Sequence, residues 1–146
     1  MIYFGDKLVT QFSPKVVIIY CGSNDINAGE PAEPIATRNI NFMKYLHSAL
    51  PGVHLIFIAI NRAPQKEDKW HVADEANAKI KEEVDKIDTW HWVDVNPGMF
   101  NESGRPRDDM FERDGLHLYE KAYSEVWKPL VLEKLQGIWE KINSAR

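Results

Sequence analysis

Two apolar runs constrain this chain more than anything else in it. Val16-Val17-Ile18-Ile19-Tyr20-Cys21 and His54-Leu55-Ile56-Phe57-Ile58-Ala59-Ile60 are rich in β-branched residues and almost uninterrupted by polar ones. A strand with one wet face alternates polar and apolar residues, whereas a strand covered on both faces does not. A weaker third run, Trp90-His91-Trp92-Val93-Asp94-Val95, follows. Strands of this kind belong to a parallel sheet, and parallel neighbours need a crossover between them.

The intervening segments supply those crossovers. Ile35, Asn39, Phe42, Met43, Leu46, Ala49 and Leu50 recur at helical spacing, and Pro51-Gly52 ends the pattern. Ala73, Ala76, Asn77, Ile80, Val84 and Ile87 form a second stripe, with Glu and Lys opposite. Asn77 breaks that stripe and is expected to be a buried amide bonded to a strand-end loop. A loop over 96–115 leads to a last helix, apolar at Ala122, Val126, Leu130 and Ile138, which Pro129 should kink or split. Residues 1–12, apolar at Ile2, Leu8, Val9 and Phe12, read as the end of another helix. The order α-β-α-β-α-β-α predicts an α/β layer fold with right-handed connections and a single domain over 1–146.

Composition removes several classes of function. Net charge is -4, with no basic stripe, so nucleic acid is not an expected partner. No apolar stretch nears the ~20 residues of a membrane span, and no signal peptide is visible. Cys21 is the one cysteine, so no internal disulfide forms, and it reads as a small buried hydrophobe. His47, His54, His71 and His91 lack metal-ligand spacing, so neither a metal nor a cofactor is expected. Trp90-His91-Trp92 reads as strand packing. Arg62, Arg105 and Arg107 read as solvated loop cations.

Chemistry in open parallel sheets sits past the carboxyl ends of the strands. One polar group there is Gly22-Ser23-Asn24-Asp25. Asn24 could offer the amide donor that an oxyanion needs in acyl transfer. Alone, the tetrapeptide reads as a plain turn. The other group is Asp114-Gly115-Leu116-His117. An Asp three residues before a His can set the imidazole's tautomer while the second ring nitrogen serves as general base. Alone, it reads equally as Asp114 capping the last helix.

Taken together, the two groups resemble the SGNH (GDSL-like) hydrolases, lipases and esterases on a flavodoxin-like sheet. SPKVVIIYCGSNDINAGE is similar to that family's third block and FERDGLHLYEKAYSEVW to its fifth, with MFNESGRPRDDMF as the approach loop. The resemblance implies a three-layer α/β/α sandwich. It also implies a small ester substrate, His117 as general base, Asp114 as its orienter and Asn24 as an oxyanion donor, with Gly22 and Ser23 lining the site.

The family's serine and oxyanion glycine belong to earlier blocks. Phe4-Gly5-Asp6-Lys7-Leu8 looks like the serine motif with lysine in place of serine, but only three residues precede it where a strand should stand. Lys7 and Gly22 are also too close to hold a crossover and another strand. The stretch therefore reads as a helix end, with Lys7 in solvent. Ser23 sits at the right strand end, but that position does not serve as nucleophile in the family. No nucleophile is found, and the chain reads as the family's fold without its first βαβ portion, at least ~30 residues.

Such a chain alone should lose nearly all triad-dependent rate. It should also expose the edge of strand 16–21 and form a homo-oligomer through it, most simply a two-fold dimer. Two alternatives remain: a non-catalytic binding module, and a hydrolase whose serine comes from a separate polypeptide.

Overall fold

The computed structural model describes residues 2–144 and divides into two units. The first comprises Met1–Ile60 and His71–Trp92, the second Asn61–Trp70 and Val93–Arg146.

The strands are β1 (Val16–Ile19), β2 (His54–Ile58) and β3 (Trp90–Val93), in one sheet of order β1-β2-β3. Each ends two residues earlier than its apolar run. β1 pairs with β2 in parallel, Val16 beside His54 and Ile19 beside Phe57. Helices flank the sheet, so the fold is the α/β class expected.

The helices of the first unit are α1 (Ile2–Leu8), α2 (Ser23–Asn27), α3 (Ala32–Ala49) and α4 (Trp70–Val84). Alternate strand residues (Ile19, Leu55, Phe57, Trp90) pack with Ala36, Phe42, Met43 and Leu46 of α3 and with Ile80 and Val84 of α4. Phe57 stacks on Trp92 with ring centroids 5.8 Å apart. Burying each large side chain of this set contributes roughly 1.5–3 kcal/mol, which is why strands and helices form together. Of the predicted α3 stripe only Ala49 is exposed. Ile56 and Ile58 are buried too, so both faces of β2 are covered. β1 differs: Ile18 is 45% exposed.

Asn77 does what the broken stripe predicts. Its Oδ1 accepts from the Ile60 N–H at 2.9 Å and its Nδ2 donates to the Ile60 carbonyl at 2.9 Å. The side chain stands in for a neighbouring strand just where β2 has stopped pairing.

The N-terminal segment is helical as expected; Leu8 and Phe12 are exposed, Val9 packs partly buried against the core, and the Ile2 side chain lies outside the described residues. Gly5 makes a close contact. A Cβ there would lie 2.5 Å from Tyr45 Cε1, so the missing side chain lets α1 approach α3. The Tyr45 hydroxyl donates to Asp6, as does Thr10 at 3.0 Å. Lys7 is exposed.

The second unit holds a 3₁₀ segment (Pro64–Lys69), α5 (Asn96–Met99), α6 (Glu120–Ala122), a π-helical turn (Tyr123–Trp127) and α7 (Lys128–Ser144). Pro129 neither ends the last helix nor splits it. The winding changes just before it, where the Lys128 N–H reaches back to the Tyr123 carbonyl. A proline removes one backbone donor, and the wider π turn lets the chain continue past that loss. Val126 in this turn packs on Gly98, where a Cβ would meet it at 2.6 Å.

Candidate active site

Gly22, Ser23 and Asn24 lie in the first unit. β1 stops at Ile19, and the chain turns into α2 through Gly22, whose φ is +124°. That region is costly for any residue with a Cβ. There is also no room for one: it would stand 2.5 Å from Ile60 Cδ1 and 3.1 Å from Ile35 Cγ2. The turn therefore needs glycine for two independent reasons. Asn24 is exposed, and its side-chain amide has no partner among the described residues.

A clamp that sequence reading missed holds this turn. Arg38 of α3 donates to Asp25 Oδ1 at 2.9 Å and to Glu30 Oε2, so one guanidinium ties α2 and the turn after it to α3. The Glu30 carboxylate and then the Asp25 charge hold the Arg38 pKa above its ordinary value. Charge and helical spacing could not reveal the clamp, because Asp25 and Arg38 are thirteen residues apart. Cys21 is half-buried, not fully so, and burial pushes its thiol pKa up, helped by the Asp25 charge.

Asp114 and His117 lie in the second unit, and the structure brings them together. α6 begins at Glu120 with Tyr119 as its cap residue, so the pair precedes the helix and Asp114 does not cap it. Asp114 Oδ1 accepts from the Leu116 N–H at 2.9 Å and the His117 N–H at 3.0 Å. Those two bonds pin the carboxylate and aim Oδ2 at His117 Nδ1, 2.5 Å away. Gly115 makes the turn possible with φ +67°, and its carbonyl accepts from the Gln65 N–H at 3.0 Å. The antiparallel bridge of Phe111 with Leu118 and the Glu112 N–H bond to the His117 carbonyl at 2.8 Å close the loop.

The electrostatics follow from this geometry. The His117 hydrogen bond, with those from the Leu116 and His117 backbone, lowers the Asp114 pKa from 3.8 to about 2. The same bond, then the Asp114 charge, raises the His117 pKa above 6.5. The His117 side chain is 71% exposed, so its other nitrogen is open to a reactant.

The three expected loop cations have different fates. Arg105 is exposed. The Arg62 guanidinium lies over the Phe100 ring at 5.9 Å, and the Arg62 backbone N–H donates to Asn96 Oδ1 at 2.8 Å. Arg107 is not a free solvated cation: it bonds the Gly98 carbonyl and Asp109 Oδ2, each at 3.1 Å, and pairs with Glu125 at 3.6 Å. Asn96 was not singled out by the sequence, because an Asn beside a Pro reads only as loop. Trp90-His91-Trp92 is strand as expected, with His91 against His54 at 3.0 Å. No group of three or more His, Cys, Asp or Glu is placed to hold a metal among the described residues. No helix among them is long and apolar enough to cross a membrane.

The fold is an α/β sheet flanked by helices, and the second unit holds an imidazole braced by a carboxylate. The chain belongs to the GDSL-like lipase/acylhydrolase family, whose model matches residues 3–124. Solved structures agree at the level of fold. A GDSL-like lipase from Bacteroides thetaiotaomicron superposes with a TM-score of 0.73 at 19% identity, covering 96% of this chain and 69% of that one. An acetyl esterase variant crystallised with acetate ion gives the same TM-score, identity and coverage. A carbohydrate esterase family 3 protein from Talaromyces cellulolyticus gives a TM-score of 0.70 at 19% identity, with 96% and 69% covered. No curated protein matches the chain.

Proposed function

We propose that this chain carries the base and oxyanion parts of an ester (acyl) hydrolase. His117 is the general base, Asp114 sets its tautomer and steadies the imidazolium, and Asn24 donates to the oxyanion of the tetrahedral intermediate. The observation that carries this reading is the 2.5 Å contact of Asp114 Oδ2 with His117 Nδ1. It commits Nδ1 to the carboxylate and leaves Nε2 for a nucleophile's proton. The exposed, unengaged amide of Asn24 supports the second role.

None of the six serines in the sequence is assigned as the nucleophile. Ser13, Ser48, Ser103, Ser124 and Ser144 are off the strand ends, and Ser23 opens α2. Lys7 is exposed on α1 and does not stand at a strand end. The 146 residues by themselves are therefore expected to be inactive. The open edge of β1 favours a second reading, in which another polypeptide adds a strand that carries the serine.

Hydrolysis of p-nitrophenyl acetate tests whether these residues suffice for turnover. Equal, background-level rates for the chain and its His117→Ala variant are expected. Turnover abolished by His117→Ala, or fluorophosphonate labelling of Ser23, would place the nucleophile within these residues and overturn the expected inactivity; turnover that His117→Ala leaves unchanged would overturn His117 as the base.

A further inference from the structure

A polar group that the acyl-transfer reading does not use stands in the first unit, where β2 and β3 begin. His54 opens β2, His91 is the second residue of β3, and Thr89 comes just before that strand. Leu55 and Trp90 point into the core under α3 and α4. Side chains alternate along a strand, so His54, Thr89 and His91 share the other face. The Leu55 N–H donates to the Thr89 carbonyl at 2.8 Å and holds the two strand starts side by side.

His54 Nδ1 and His91 Nε2 face each other at 3.0 Å, with the rings 14° from parallel. Both rings belong to half-buried residues, so solvent reaches the pair. Thr89 Oγ1 is buried and has no hydrogen-bond partner among the described residues. A hydroxyl left so costs stability unless something answers it. The sequence hid the pair, because His54 and His91 are 37 residues apart.

We propose that His54 and His91 bind one divalent transition-metal ion, copper(II) or nickel(II), and that the Thr89 hydroxyl bonds a water on that ion. Imidazole nitrogens lie about 2.0–2.1 Å from such an ion. Two of them 3.0 Å apart subtend about 90–100° at it. That is the cis angle of a tetragonal copper or nickel site, narrower than the tetrahedral angle of zinc. Calcium and magnesium require oxygen ligands, which a pair of imidazoles does not supply. On binding, the proton held between the rings moves to the far nitrogen of its own ring, and both lone pairs turn to the metal. Water fills the remaining positions, and one such water answers Thr89 Oγ1.

The test is calorimetric titration of the whole chain with nickel(II), and electron paramagnetic resonance with copper(II). The strongest site should take one ion per chain, with copper hyperfine splitting from two imidazole nitrogens. Thr89→Val removes only an outer hydrogen bond and should weaken binding about tenfold; His54→Ala and His91→Ala should weaken it further. Nickel(II) should raise the urea midpoint of the unaltered chain and not that of His91→Ala. His117→Ala should leave binding unchanged, so the site stands or falls apart from turnover. No binding at millimolar nickel(II), a copper spectrum with one nitrogen, equal affinity in any of the three variants, or binding lost in His117→Ala would each overturn the proposal. If an alanine variant does not fold, the copper spectrum of the unaltered chain decides.

Discussion

His117 and Asp114 are bound to each other, and their titrations are tied. Because the Asp114 pKa is lowered to about 2, its stabilising effect is present above the ordinary value of 3.8 and is lost as pH falls towards 2. The His117 pKa is raised, so its share is complete below 6.5 and is lost as pH rises through the folded value. The pair thus supports the loop most between those two windows. An NMR titration of the imidazole should give a midpoint above 6.5, and Asp114→Asn should move it down; an unmoved midpoint would break the link between the two side chains. Gly22 is the other residue with sharp consequences. Gly22→Ala adds a Cβ at positive φ and forces it onto Ile60, so a loss of at least about 2 kcal/mol is expected in urea unfolding. These positions were legible in sequence because each combines a rare residue type with a fixed offset. The Arg38 clamp was not, because its partners meet only when α2 and α3 pack.

At the scale of elements, α4 and β2 are joined by more than apolar contact. Asn77 satisfies both backbone groups of Ile60 inside the first unit. Asn77→Ala would leave a buried N–H and a carbonyl without partners, at a cost of about 2–4 kcal/mol. Chemical denaturation that shows less than 1 kcal/mol would mean that water replaces the amide. The apolar runs marked β1, β2 and β3 correctly: β2 is covered on both faces, and β1 carries the same kind of run although Ile18 is exposed. They overran each strand by two: Ala59 and Ile60 stay buried after β2 has stopped pairing, whereas Tyr20 and Asp94 are already exposed. Proline misled in the last helix. Its cost depends on the turn before it, and the π winding at Tyr123–Trp127 is not written in any spacing.

For the whole molecule, the edge of β1 matters most. β1 pairs only with β2 among the described residues, and Ile18, Tyr20, Leu8 and Phe12 are exposed in the same unit. An open apolar edge is a template for another strand. We expect a homo-oligomer, β1 against β1 across a two-fold axis. Sedimentation equilibrium at micromolar concentration should give more than the monomer mass, and Ile18→Lys should shift the chain to monomer. A purely monomeric unaltered chain would count against this use of the edge.

The sequence by itself determined the α/β class, the three strands, the buried faces of α3 and α4, and the residues of the Asp–His pair. Local rules suffice for these: burial on both faces writes continuous apolar runs, helices write a period near 3.6, and a three-residue offset brings a carboxylate to an imidazole. Tertiary structure alone decided that FGDKL serves to seat α1 on α3. It also decided that Leu8 and Phe12 stay exposed, that Arg107 is spent on Asp109 and Glu125, and that His54 meets His91. Each depends on which distant side chains come within a few ångströms, and neither propensity nor spacing carries that information.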